Sequence, residues 1–118
     1  MIFVIDDDPG MLKGIGRLLR AHGLEVRLFA SAEAFQEQVD QHEASCLVVD
    51  IHLGGMSGIE LRRQLSRSGS SLPVVFITAN DSDKIRRAAI EAGCIAYLAK
   101  PISTEALIDA INKALTAA

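Results

Sequence analysis

Apolar runs and helix-period segments alternate five times along the chain. The runs are Ile2 to Ile5, Leu24 to Phe29, Cys46 to Val49, Val74 to Ile77 and Ile95 to Ala99. All but the second are nearly continuous in apolar residues, as strands covered on both faces should be. Between them lie amphipathic segments with recognisable ends. Asp8 and Pro9 supply an N-cap and a proline at the first helical position, Met11, Leu12, Ile15, Leu18 and Leu19 form an inward stripe, and Gly23 stops the helix. Ser31 caps a second helix that buries Phe35 and Val39. The third runs from Gly58 to Ser68, buries Leu61 and Leu65, and ends at Gly69. A fourth begins near Ser82 and turns Ile85, Ala88, Ala89 and Ala92 inward before Gly93. Ser103 caps the fifth, with Glu105 in its first turn and Leu107, Ile108, Ile111 and Leu115 facing inward.

Five strand-helix units in a row predict an α/β fold, a doubly wound five-stranded parallel sheet with right-handed crossovers that place helices on both faces. The 118 residues suit one domain, 1–118, large enough to bury a core without disulfides or a structural metal. The composition, 49% hydrophobic and 23% charged, is that of a globular chain. A formal net charge of −3 gives no electrostatic case for direct nucleic-acid binding by this segment. Cys46 and Cys94 show neither a C-x-x-C spacing nor a nearby histidine at ligand spacing, so both are read as small core residues in a reducing compartment. The five apolar residues that open the chain lead straight into three aspartates, which excludes a signal peptide or a membrane span there and points to the cytoplasm.

The chemistry lies at the strand ends. Asp6 and Asp7 follow the first apolar run, Asp50 the third, Thr78 the fourth and Lys100 the fifth. In an open parallel sheet the ligand crevice lies outside the carboxyl ends of the strands, so these groups should meet in one place. A phosphoryl group moving onto a carboxylate needs a divalent cation to neutralise its crowded oxygens and fixed donors for the charge that remains. Asp7, Asp50 and the backbone carbonyl of His52 would ligate Mg²⁺ (or Mn²⁺) directly, with Asp6 holding a metal-bound water. Lys100 would pair with the phosphoryl oxygens and Thr78 would donate a hydroxyl hydrogen bond to one of them.

The Asp6-Asp7 pair, the run from Val48 to Leu53 followed by Met56-Ser57-Gly58, the strand end Ile77-Thr78-Ala79, and Tyr97 with Lys100-Pro101 resemble the receiver domain of two-component response regulators, the CheY-like family. The match spans nearly the whole chain in order. The stretches from Phe29 to Glu33 and from Gly55 to Gly58 are most similar to receivers of FixJ and LuxR-type transcriptional regulators. The resemblance implies a flavodoxin-like (βα)5 fold with strand order 2-1-3-4-5. It further implies that Asp50 accepts a phosphoryl group from a sensor histidine kinase or phosphotransfer protein in a Mg²⁺-dependent step and later loses it to water. Thr78 and Tyr97 would be the switch pair, acting on the surface of the fourth helix, fifth strand and fifth helix. That surface would serve an output domain, a partner or a phosphorylation-dependent homodimer. The peptide before Pro101 would be cis. The chain would be a stand-alone receiver or a domain of a longer regulator.

Two departures qualify this expectation. Gly54 and Gly55 occupy a loop where the family commonly has proline, so that loop should be more mobile. Asp8 adds a third acid, read as a helix cap. Taken alone, Asp50 would be a turn residue, Thr78 a β-branched strand residue and Tyr97 ordinary packing; His22, His42 and His52 read as surface residues, the last contributing only its carbonyl. A dinucleotide-binding domain is excluded because the first turn reads Asp6-Asp7-Asp8-Pro9-Gly10, whose charge repels a pyrophosphate. The serious rival is an aspartate-nucleophile phosphatase, which uses Asp, Lys and Mg²⁺ on a related architecture with nucleophile and acid two residues apart, as Asp6 and Asp8 are.

Overall fold

The computed structural model describes residues 1–37 and 43–116. Among them five parallel strands form one sheet in the order β2-β1-β3-β4-β5: β1 Ile2–Ile5, β2 Val26–Phe29, β3 Cys46–Asp50, β4 Val74–Thr78 and β5 Ala96–Ala99. The connecting helices are α1 Pro9–Ala21, α2 Ala32–Gln36, α3 Gly58–Arg67, α4 Asp83–Ala92 and α5 Thr104–Leu115. Continuous apolar strands work here because successive side chains serve opposite faces. Phe3, Ile5, Leu47, Val49 and Phe76 pack against α2, α3 and α4, whereas Ile2, Val4, Cys46, Val48, Val75 and Ile77 pack against α1 and α5.

The helix ends follow the cues in the chain. Asp8 Oδ1 accepts from the amides of Gly10 and Met11, which makes it the cap of α1. At the other end the Leu24 amide donates to the Leu19 carbonyl around Gly23, whose φ is 78°. Leu24 is thereby used to close α1, and β2 begins two residues later than the apolar run suggests. Gly69 ends α3 in the same way, with φ 83° and the Ser70 amide on the Leu65 carbonyl. Ser31, Ser57, Ser82 and Ser103 each accept an amide from the first turn of the helix that follows.

Three expectations need correction. Leu115 is 38% exposed, because the inward face of α5 is taken by Leu107, Ala110, Ile111 and Ala114, a closer-fitting stripe at spacings of three and four. The fifth apolar run is only partly covered: β5 is an edge strand whose residues meet both cores but are half-buried, with Ala99 exposed. In α4 only Ala89 is fully buried, while Ile85, Ala88 and Ala92 pack more loosely against the same core. Val39 and His42 lie outside the described residues.

At the α2 edge of the sheet Phe3, Phe29 and Phe35 form an aromatic trio with ring centroids 5.2 to 5.9 Å apart. It seats α2 firmly on β1 and β2. At the start of α3 the backbone of Gly58 comes so close to β3 that a Cβ there would stand 2.5 Å from the Asp50 carbonyl oxygen. Gly14, by contrast, sits in the middle of α1 with open space around it.

These two glycines should respond oppositely to alanine. Gly14→Ala should stabilise the fold by roughly 0.5–1 kcal/mol through helix propensity alone. Gly58→Ala should cost about 1–3 kcal/mol, because backbone on both sides must shift. Urea unfolding of both variants checks this. Cys46 offers a pH test. Burial pushes its thiol from the ordinary 9.0 up to about 12, with the nearby N-terminal ammonium opposing only slightly. A value raised by folding gives stability that is whole below about pH 9 and is lost as the pH climbs toward 12. Alkylation at pH 8 should therefore modify half-buried Cys94 well before Cys46, as peptide mapping over time will show.

Candidate functional site: an acidic pocket bridged by a lysine

Two strand ends place the three acids. Asp6 directly follows β1, Asp7 follows it, and Asp50 is the last residue of β3. Because β1 lies beside β3 in parallel register, with Ile5 opposite Val49, the carboxyl ends of the two strands lie level. Asp6 and Asp50 are buried at 0% and 5% exposure, and Asp7 is exposed. One carboxylate oxygen from each of the three lies within 4.8 Å of the others. An all-oxygen set with an open side suits a hard divalent cation that keeps some of its waters. Among the described residues this is the group that could hold a metal ion.

Lys100 arrives from the end of β5. Its Nζ donates to Asp50 Oδ2 at 2.9 Å and to Asp6 Oδ2 at 3.1 Å. The remaining oxygens are also engaged: Asp50 Oδ1 accepts the His52 amide at 3.0 Å, and Asp6 Oδ1 accepts the Asp8 amide at 2.9 Å. These two local turns aim the carboxylates, and every buried side-chain polar atom among the described residues has a partner. Burial raises the Asp6 carboxyl above its ordinary value, and the Asp8 amide and Lys100 only partly offset this. Burial also opposes the charge of Lys100, yet its hydrogen bonds to Asp50 and Asp6 outweigh that cost and raise its pKa.

Thr78 ends β4 and is fully buried. It lies one residue beyond Ile77, the register partner of Asp50, and its carbonyl accepts the Lys100 amide at 2.7 Å. Its Oγ1 accepts the Asn80 amide at 3.0 Å. Tyr97, in β5, is half-buried, and its hydroxyl donates to Asp81 Oδ1 at 2.9 Å. Arg86 completes a surface cluster, with its guanidinium on both Asp81 oxygens at 3.1 and 3.3 Å and 5.6 Å from the Tyr97 ring centre. Burial and then Asp81 raise the Tyr97 pKa. The Lys100–Pro101 peptide is cis. His52 is exposed, and so is His22, which meets the Leu18 carbonyl.

All the residues expected at the strand ends are thus brought to one end of the sheet, with Asp8 set apart as a cap. Sequence reading missed the partners of Tyr97. Asp81 precedes a helix cap and Arg86 lies on the exposed side of α4, so neither belongs to an apolar pattern that would single it out. It also missed that the Gly54–Gly55 loop is held at its far end, where the Met56 amide donates to Glu33 Oε2 at 3.2 Å.

Residues 2–112 match the family described as the response regulator receiver domain. Over 115 residues the chain is 36% identical to the response regulator protein TmoT of Ectopseudomonas mendocina, covering 98% of this chain and 52% of that protein. It is 31% identical to the transcriptional regulatory protein FixJ of Bradyrhizobium diazoefficiens, covering 97% and 56%. The chain therefore spans about half the length of the curated relatives it matches. Among solved structures, FixJ-N superposes with a TM-score of 0.89 at 28% identity, covering 99% of this chain and 94% of that one. The response regulator StyR gives 0.86 at 41% identity over 97% and 58%. No helix among the described residues is long and apolar enough to cross a membrane. By the match along nearly its whole length and by its sheet order, the chain belongs to the response regulator receiver domain family.

Proposed function

We propose that residues 1–118 form one receiver of a cytoplasmic two-component pathway, with Asp50 as the phosphoacceptor. The donor is a sensor histidine kinase or a phosphotransfer protein. The observation that carries this reading is the double contact of Lys100 with Asp50 and Asp6 beside the exposed Asp7 carboxylate. An Asp50 carboxylate oxygen attacks the phosphorus of a phosphohistidine; the new P–O bond forms as the P–N bond breaks and the imidazole leaves. Water later attacks the same phosphorus and restores the carboxylate. Asp7, Asp50 and the His52 carbonyl would hold Mg²⁺ or Mn²⁺ directly, and Asp6 would hold it through water. The cation supplies charge neutralisation for the crowded oxygens of the transferring group. Lys100 follows the charge from the carboxylate to the phosphoryl oxygens, and Thr78 turns its hydroxyl toward one of them.

The phosphatase alternative is disfavoured by Asp8. Its Oδ1 caps α1 through the Gly10 and Met11 amides, which gives Asp8 a helix-end role. Because the FixJ relative is a transcriptional regulatory protein, we place this receiver upstream of transcriptional output, without direct nucleic-acid contact by this segment of net charge −3. Thr78 and Tyr97 form the switch. Driving a mostly inactive population to a mostly active one takes on the order of 5 kcal/mol of differential stabilisation. The surface that changes is α4, β5 and α5, where exposed Lys84, Arg87 and Lys113 suit a partner or a phosphorylation-dependent homodimer.

With Mg²⁺ and a small acyl-phosphate donor, intact mass should show one added phosphoryl group, absent in Asp50→Ala. Labelling that persists in that variant sinks the assignment. The surface cluster on Tyr97 gives a second test. Asp81→Asn weakens the Arg86 pair and the Tyr97 hydrogen bond, interactions worth roughly 0.2–1 kcal/mol at an exposed site. It should raise the inward population of the Tyr97 ring by up to about fivefold in the unphosphorylated protein, following the ~1 kcal/mol upper figure. Ring NMR shifts identical to wild type would show that Asp81 does not bias the switch.

A further inference from the structure

The loop after Asp50 forms one rim of the acidic pocket, and its position is decided from outside the pocket. A Cβ on Gly54 would stand 3.5 Å from Asp7 Oδ2, so the loop backbone lies against the exposed carboxylate of the acid group. The His52 carbonyl belongs to the same loop. Two consecutive glycines give this segment little stiffness of its own. Its near end is fixed by the Asp50 turn, and its far end by the Ser57 cap and the Gly58 amide, which donates to the Ile51 carbonyl at 3.0 Å. Between these ends, the contact to another element comes from α2. Glu33 Oε2 accepts the Met56 amide at 3.2 Å, and its carboxylate covers Gly55 so closely that a Cβ there would stand 2.6 Å from Oε2 and 3.1 Å from Oε1. Gln36, one turn along α2, reaches the Met56 sulfur at 3.9 Å and Gln64 of α3 at 2.6 Å.

The α2 backbone that carries Glu33 is held in place because Phe35, two residues on, is fully buried in the aromatic trio with Phe3 and Phe29. We propose that Glu33 is a positioning residue for phosphoryl acceptance: its carboxylate holds the Gly54–Met56 loop against the acidic pocket and so sets the geometry of Asp7 and the His52 carbonyl toward a divalent cation. The proposal rests on Asp50 being the phosphoacceptor beside that cation. Gly55 is its counterpart. Its φ is not positive, so alanine at this position meets no backbone strain and is opposed only by the Glu33 carboxylate. That carboxylate is the far end of a flexible side chain and can be pushed aside without unfolding the protein.

A bland alternative is that Glu33 merely favours the positive end of α2, since it lies in the first turn. The two roles separate in a set of four variants, Glu33→Ala, Glu33→Gln, Gly55→Ala and the double Glu33→Ala/Gly55→Ala. Amide exchange at Met56 and titration with Mg²⁺ alone are the readouts, and urea midpoints report global stability. Glu33→Ala and Gly55→Ala should each speed Met56 exchange by roughly tenfold, as loss of one hydrogen bond allows. Each should weaken Mg²⁺ binding by roughly tenfold, the lower end for losing support behind a metal ligand. Glu33→Gln keeps an oxygen acceptor without the charge, so it should retain most of both. The double variant should be no worse than either single one, because both remove the same contact. Loss in Glu33→Gln equal to that in Glu33→Ala, additive losses in the double variant, or wild-type exchange and Mg²⁺ affinity in Glu33→Ala would each overturn the tether. If the wild-type protein itself binds no Mg²⁺, the phosphoacceptor reading falls instead, and Met56 exchange still decides the tether.

Discussion

Two carboxylates buried at neighbouring strand ends repel one another, and Lys100 is the cation that bridges them. Everything at the carboxyl end of the sheet is arranged around this bridge. Asp6 and Asp50 each give one oxygen to the ammonium and the other to an amide two residues on, so neither carboxylate can rotate away. The Lys100 amide donates in turn to the Thr78 carbonyl, which ties the lysine to the neighbouring strand end. The result is a charged centre with all its buried atoms satisfied and one open side, at the exposed Asp7.

Such a site needs a scaffold that keeps the strand ends level with one another. The parallel register of β1, β3 and β4 does this, and a packed apolar core on each face prevents the strands from sliding. The connections then bring their own precision. Gly58 allows α3 to start directly against β3, and Glu33 reaches across from α2 to the loop between them. The exposed side of the site is controlled more loosely. Asp81, Arg86 and Tyr97 hold one another through contacts open to water, each individually weak.

The five-unit order of the fold and the gathering of charged residues at its strand ends were legible in the amino-acid sequence alone. Continuous apolar strands such as Val74 to Ile77, serine caps and terminal glycines are local signals, set by burial on two faces and by backbone freedom at single residues. Asp6, Asp7, Asp50 and Lys100 could be picked out because a charged residue directly after a buried strand breaks a strong pattern. The tertiary structure alone decided which partners those charges take. It placed Leu115 outside and Ala110 and Ala114 inside, since the closeness of α5 to the sheet depends on the facing surface. It left β5 half-exposed at the edge of the sheet, and it joined Glu33 to Met56 and Asp81 to Tyr97 across 23 and 16 residues. Pairings of that kind depend on how helices of fixed length sit against a twisted sheet, and no periodicity within one segment carries that information.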